Sequence, residues 1–301
     1  MSVVLLSGGT GGAKLARGLY DLLDEELAVI ANTGDDIEIY GAHVSPDPDL
    51  VTYWLADRID ERGWGIEADS FGAMEMFGEL GAEVWFALGD RDLALCLERR
   101  RMLDDGLTLS EAHAALTRAL GVRASVIPMS DERVRTAIRS GGRVLGLQEF
   151  LIAHRGALPI DDVRFEGAAQ AVASPAALAA LSAASAIVIG PSNPVISIGP
   201  ILAIEQIRAA IAAATVPVIA VSPIVGGRVL KGPTAACMAW AGRSADAAGV
   251  ASHYGELIDA IVADEPVAGL RCRECDTWMG GATARRELAR HTLELIEELR
   301  S

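Results

Sequence analysis

Two hydrophobic rhythms alternate along this chain. Val3-Val4-Leu5-Leu6 is a continuous apolar run that stops at Ser7-Gly8-Gly9-Thr10-Gly11-Gly12, and apolar residues resume at helical spacing at Leu15, Leu19, Leu22 and Leu23. The pattern predicts a strand, a tight turn and a helix over residues 13 to 23. A second apolar run of strand length, Leu27-Ala28-Val29-Ile30-Ala31, ends in the turn formers Asn32-Thr33-Gly34-Asp35-Asp36. Strand, helix and strand make the first βαβ unit of a parallel sheet. The rhythm returns with strands at 124 to 127, 186 to 189 and 217 to 221, helices at 175 to 184 and 204 to 214, and a hairpin about Ser140-Gly141-Gly142-Arg143. One more apolar segment, 257 to 263, and a helix from about Ala282 complete the chain. The stripe Leu288, Leu293, Ile296 and Leu299 of that helix suits either a dimer interface or a cover over the sheet.

Residues 50 to 121 read differently, as a mostly helical insertion in one α/β domain spanning 1 to 301. A capping box, Thr108-x-x-Glu111, starts a helix that Gly121 ends. Just before the insertion, Ser45-Pro46-Asp47-Pro48-Asp49 alternates two prolines with two aspartates, which predicts a stiff loop. Within the insertion, Trp85-Phe86-Ala87-Leu88 delivers Gly89-Asp90-Arg91-Asp92, where Arg91 faces either a phosphate or its own acidic neighbours.

Charge narrows the chemistry. A formal net charge of −15 gives nucleic-acid binding no electrostatic support. No apolar run reaches membrane-spanning length, and the start carries no basic region of a signal peptide, so a cytoplasmic protein is expected. Cys272 and Cys275 form a C-x-x-C with no second pair or nearby histidine to complete a zinc site.

The glycine loop is the strongest candidate for chemistry. Glycines at the start of a helix let backbone N–H groups approach a ligand where unpaired donors and partial positive charge already favour an anion. Lys14 stands where a dinucleotide fingerprint needs its third glycine, and Asn32 where the ribose-binding acid would sit, which disfavours NAD. Gly12-Ala13-Lys14-Leu15 also lacks the G-K-[ST] of a P-loop. Ligands of parallel sheets collect beyond the carboxyl ends of strands, so Asn32, Asp35 and Asp36 belong beside the glycine loop, with Ser130, Ser192 and Asn193 at later strand ends. In so acidic a chain a phosphate-bearing substrate needs local help, and the aspartate clusters suit a divalent cation.

These motifs carry a resemblance. Ser-Gly-Gly-Thr-Gly-Gly-Ala-Lys at 7 to 14, Asn-Thr-Gly-Asp-Asp at 32 to 36, Ser-Pro-Asp-x-Asp at 45 to 49, Gly-Asp-Arg-Asp at 89 to 92, Pro-Met-Ser-Asp at 128 to 131, Gly-Pro-Ser-Asn-Pro at 190 to 194 and Ser-Pro-Ile at 222 to 224 resemble, in order, the 2-phospho-L-lactate transferase family. The resemblance implies a Rossmann-like, generally dimeric enzyme of coenzyme F-420 synthesis. Its relatives transfer a phospholactyl or phosphoenolpyruvyl group from a guanosine diphosphate-linked donor to the terminal ribityl hydroxyl of the deazaflavin Fo, releasing GMP, with Mg²⁺. One departure is Leu50, where relatives usually place threonine. The related gluconeogenesis-factor branch, which binds sugar nucleotides as a regulator, is the competing reading.

On that resemblance, Asp36 and Asp49 are expected to hold Mg²⁺, with Asp35 and Asp47 as neighbours and Asn32 orienting the acceptor. Gly8, Gly9, Thr10, Gly11, Gly12, Lys14, Ser192 and Asn193 would cradle donor phosphates, joined by Asp90, Arg91 and Ser130. Trp64, Trp85, Met129 and Phe150 are candidate stacking groups, while His43 reads as structural. Asp49→Asn is expected to stop turnover and leave the fold intact.

Overall fold

The computed structural model describes all 301 residues. The strands are β1 (Val3–Ser7), β2 (Leu27–Ala31), β3 (Ile37–Ile39), β4 (Ala42–Val44), β5 (Ser125–Pro128), β6 (Arg135–Ser140), β7 (Arg143–Gly146), β8 (Asp162–Glu166), β9 (Ala186–Ile189), β10 (Val218–Val221), β11 (Ile224–Val225), β12 (Arg228–Val229), β13 (Ala260–Ala263) and β14 (Arg271–Glu274). The α-helices are α1 (Gly9–Leu23), α2 (Pro46–Leu55), α3 (Gly72–Glu79), α4 (Asp90–Asp104), α5 (Leu109–Ala119), α6 (Pro175–Ala183), α7 (Gly199–Leu202), α8 (Glu205–Ala212), α9 (Thr234–Trp240), α10 (Ala247–Tyr254) and α11 (Ala282–Arg300).

The central sheet has seven strands in the order β14-β13-β10-β9-β1-β2-β5. Every pairing in it is parallel. Such a sheet needs both faces covered, which is why its strands read as continuous apolar runs. Val4 and Leu6 of β1 face the core under α6, α8 and α10, while Val3 and Leu5 face the core under α1, α2 and α11. A smaller antiparallel sheet, β7-β6-β8, closes on Phe150, Val195, Ile196 and Cys237. No single helix is long and apolar enough to cross a membrane.

Several expectations shift. α1 begins at Gly9, not Ala13, so the glycine loop is itself the first helical turn. The proline-flanked segment is helical. Pro46 stands at N1 and Pro48 two residues later, within the first turn, where a backbone N–H has no intrahelical acceptor and the missing donor costs little. That turn makes Asp47 and Asp49 first-turn acids of α2 and removes the expected loop. The hairpin β3–β4 was not expected; its turn residues Tyr40 and Gly41 both have positive φ, which suits a two-residue connection. Nor was β14, whose Arg-Cys-Arg-Glu carries no apolar run because it is an edge strand. The capping box forms as read, with Thr108 Oγ1 accepting from Glu111 N and Glu111 Oε2 from Thr108 N.

Cys272 and Cys275 are free thiols, one packed on the core at each face of the central sheet. The apolar stripe of α11 is spent inside the chain: Leu288 and Ile296 are buried, and Leu293 and Leu299 pack on the same core. α11 lies so close to α1 that a Cβ at Gly18 would stand 2.3 Å from the Arg285 carbonyl oxygen. Alanine is the better helix former by about 1 kcal/mol at an exposed position. Here the sign reverses: Gly18→Ala should destabilise by about 1–3 kcal/mol, read as a lower urea midpoint at unchanged slope.

Candidate functional site

At the carboxyl end of the sheet the chain leaves β1 and β9 in opposite directions, which opens a crevice at the point where strand order reverses. Two loops face each other there: the glycine loop after β1 and Gly190-Pro191-Ser192-Asn193 after β9. They touch. A Cβ on Gly11 would lie 1.9 Å from the Pro191 carbonyl oxygen, so only glycine permits this approach. Gly12 packs equally closely on Ser7 and Ser192, and Ser192 Oγ accepts the Gly8 N–H at 3.3 Å.

A cavity of about 700 Å³ opens over these loops. Of the residues expected to cradle phosphate, Gly8, Gly9, Thr10, Gly11, Lys14, Ser192 and Asn193 line it and Gly12 does not. Lys231, Arg155 and Trp278 line it too. Its wall contains no aspartate or glutamate, in a chain that has 41 of them. Lys14 and Lys231 are the only lysines in the sequence, the other cations of the 26 being arginines, and both are in this wall. Burial lowers the Lys14 pKa, and Arg285 and Lys231 lower it further; its ammonium reaches only the Met279 carbonyl, at 3.4 Å.

Beside this cationic cavity is its opposite. Asp35, Asp36, Asp47 and Asp49 are all buried, and two of them, Asp35 and Asp47, meet Asn32. Asn32 Nδ2 donates to Asp35 Oδ1 at 2.7 Å and Asp47 Oδ2 at 2.9 Å, while its Oδ1 accepts the Gly34 N–H at 2.7 Å. Both amide hydrogens are engaged, so Asn32 orients two carboxylates where an acceptor contact had been expected. Asp47 Oδ1 accepts the Gly9 N–H at 2.6 Å, placing an anion on the start of α1. Burial pushes the Asp47 carboxyl up to about 6 against the hydrogen bonds from Gly9 and Asn32. Asp35 is raised well above the usual carboxylate range by burial and by the Asp47 charge. Asp36 accepts from Ser45 Oγ at 2.8 Å and meets His43 Nε2 at 3.0 Å, so His43 has the partner that its sequence position did not reveal.

Asp49 is elsewhere employed. Both its oxygens meet the guanidinium of Arg99, fully buried in α4, which also donates from Nη1 to the His43 carbonyl at 2.9 Å. Burial opposes the charge on Arg99, and Asp49 more than restores it, raising the Arg99 pKa. The metal role expected for Asp49 gives way to this pairing. Nothing local marks Arg99, one arginine in the run Arg99-Arg100-Arg101, as the buried one.

A second cavity, of about 370 Å³, adjoins the acidic cluster on the other side. Asp35 and Asp36 are in its wall with Trp85, Arg133, Arg135 and Glu149. Of the other candidate stacking groups, Met129 and Phe150 are core, and Trp64 stacks on Arg62 at 4.3 Å away from both cavities. Asp90 and Arg91 line neither cavity: Asp90 accepts from Ser70, Gly72 and Ala73 at the start of α3, and Arg91 donates to the Glu67 carbonyl. Ser130 is fully buried, donating to the Val172 carbonyl, a structural place. Leu50 packs on the core beneath α1 and α2.

The one group of side chains whose ligand atoms converge within 4.8 Å is Asp49, Asp92 and Cys96, where Arg99 already supplies the counter-charge; buried carboxylates remain the oxygen donors that suit a hard divalent cation. With Asp49 paired to Arg99, the donors available to it are Asp35, Asp36 and Asp47.

Asp49→Asn strips a buried guanidinium of its counter-charge, so it should cost about 3 kcal/mol or more of stability by chemical denaturation, contrary to the expectation that the fold would be indifferent. Behind the pair, burial and the Asp49 charge push Asp92 up to about 6, against the hydrogen bond from Tyr53. A carboxyl whose folded pKa is raised loses stability as pH climbs from its unfolded value near 4 to about 6. Asp92→Asn keeps an acceptor for Tyr53 and should therefore raise stability by about 2 kcal/mol at pH 7.5 but little at pH 4, read as the difference between thermal midpoints.

Comparison with known proteins agrees with the geometry. The family model for 2-phospho-L-lactate transferase CofD matches residues 3–278. A 2-phospho-L-lactate transferase of Methanosarcina mazei is 37% identical, covering 95% of this chain and 98% of its own length. A phosphoenolpyruvate transferase of Streptomyces griseus is 40% identical across the whole of both chains. Among solved structures, protein BH3568 from Bacillus halodurans superposes with a TM-score of 0.58 at 18% identity, covering 96% of this chain and 90% of that one, a likeness of fold alone. A glycine loop meeting a second loop at the reversal of a parallel sheet, a carboxylate-free cavity beside a buried aspartate cluster, and a family match over nearly the whole length lead to one conclusion: the chain belongs to the 2-phospho-L-lactate transferase (CofD) family.

Proposed function

We propose that this protein transfers a phospholactyl or phosphoenolpyruvyl group from a guanosine diphosphate-linked donor to the terminal ribityl hydroxyl of Fo, releasing GMP. Relatives of similar identity bear both the phospholactate and the phosphoenolpyruvate names, which supports the class of donor. The observation that carries the reading is the sorting of charge. The only two lysines and Arg155 converge on a cavity with no carboxylate, and the Gly9–Asp47–Asn32–Asp35 hydrogen-bond chain leads from its floor to the wall of the second cavity.

In this reading the donor diphosphate rests on the glycine loop with Lys14, Lys231 and Arg155 around it, and the acceptor enters the second cavity beside Asp35, Asp36 and Trp85. Phosphoryl transfer asks for in-line placement and charge neutralisation more than for a strong base. The acceptor oxygen forms a bond to the β-phosphorus while the bond from that phosphorus to the bridging oxygen breaks and GMP departs. The hydroxyl proton passes to the Asp35 carboxylate, which lines the second cavity. Asp35, Asp36 and Asp47 are the residues that would hold Mg²⁺, which when bound supplies neutralisation of phosphate charge. Asp49 and Arg99 act one step back, by fixing the turn of α2 that carries Asp47 and the β4 carbonyl next to the His43 side chain.

Incubation with Mg²⁺, Fo and an equimolar mixture of lactyl, enolpyruvyl and glyceryl guanosine diphosphates tests this by mass spectrometry. The expected product has the mass of Fo plus one phospho-acid unit, appears with GMP, and names the preferred donor. Nucleotide binding without product from any donor would instead assign the chain to sugar-nucleotide binding without transfer.

A further inference from the structure

The cationic cavity has a second character in the part of its wall next to Lys14. Where the chain leaves β14, residues 276 to 281 lead to α11, and Thr277, Trp278 and Met279 of this segment line the cavity. The segment is held at several points: Trp278 N donates to Asp276 Oδ1 at 2.8 Å, Thr277 Oγ1 to the Ile224 carbonyl at 3.3 Å, and the Met279 carbonyl accepts from Lys14. Met279 itself is buried in the core beneath α1 and α11. On this fixed support the Trp278 side chain is 56% exposed and lines the cavity.

Single exposed apolar residues are ordinary on a protein surface. Trp278 differs in how it is supported. A Cβ on Gly280 would stand 2.5 Å from the six-membered ring of the indole, so the ring lies directly against the Gly280 backbone. One side of the ring is therefore occupied by the protein, and the indole also contributes to the cavity wall. It is the only aromatic residue there, with Val225, Val229 and Leu230 of the β11–β12 hairpin as apolar neighbours, and the cations Lys14 and Lys231 share the same wall.

We infer that Trp278 is the platform on which the base of the donor nucleotide stacks, with Gly280 as the spacer that seats the indole. A planar face beside cations suits a molecule that is aromatic at one end and polyanionic at the other. Stacking of a base on an aromatic side chain needs no hydrogen-bond reading of its edges. The inference rests on the assignment of the larger cavity to the nucleotide donor.

Calorimetric titration with two probes, GDP and inorganic pyrophosphate, in magnesium buffer separates the base from the phosphates. The wild-type protein should bind GDP more tightly than pyrophosphate. Trp278→Leu should weaken GDP on the order of 10- to 100-fold and leave pyrophosphate unchanged, and Trp278→Phe should recover most of the loss. Gly280→Ala, which tilts the ring without removing it, should weaken GDP in the same direction. Unaltered GDP affinity in Trp278→Leu, or an equal loss for both probes, overturns the stacking role while the donor site stands. Failure of the wild-type protein to bind either probe overturns the donor-site assignment and this inference with it.

Discussion

One hydrogen bond joins the two halves of this site: the Asp47 carboxylate, in the first turn of α2, accepts the Gly9 N–H that opens α1. Each helix start offers unpaired donors and partial positive charge, and each is met by acidic groups from the same short stretch. The consequence is positional. The glycine loop cannot move without the acidic cluster, and Asn32, bridging Asp47 to Asp35, extends the constraint to the second cavity. A transfer between ligands on either side of such a bridge requires that their separation be held closely, and a chain of buried polar contacts holds it better than a loop would.

The helices between β2 and β5 supply what that bridge needs to survive burial. Four buried carboxylates in one place repel each other and lose hydration, and the upward displacement of the Asp35 and Asp47 pKa values expresses that cost. Arg99, from α4, removes one charge from the balance by binding Asp49 and at the same time ties down the β4 backbone. His43 faces Asp36. The helical segment thus serves the site from behind, through a guanidinium that touches neither cavity.

Charge is sorted on a short length scale. A protein of net charge −15 repels a diphosphate at long range, yet the larger cavity presents two lysines and an arginine with no acid among its lining residues. The buried aspartates are set behind the Gly9–Asp47 contact. Local arrangement, not overall charge, governs what such a protein binds.

Much of this was legible along the chain. The apolar runs of β1, β2, β9 and β10, the glycine loop at a helix start, the capping box of α5 and the gathering of polar strand ends at one edge follow from period, turn chemistry and the geometry of parallel sheets, which are local properties. The helix through Pro46 and Pro48 is not legible locally because proline's effect depends on where a helix begins, and both prolines fall within the first turn. The edge strand β14 has no apolar signal because only one neighbour and part of two cores constrain it. Tertiary structure alone decided that Arg99 and not Arg100 is buried, that Asp49 serves Arg99, that Asp90 and Arg91 are spent on caps and surface contacts, and that Trp278 faces the cavity holding both lysines. Each of those outcomes is a pairing between segments far apart in sequence. The amino-acid order states which groups are available, but which of several similar groups is desolvated against which partner is fixed only when the helices pack.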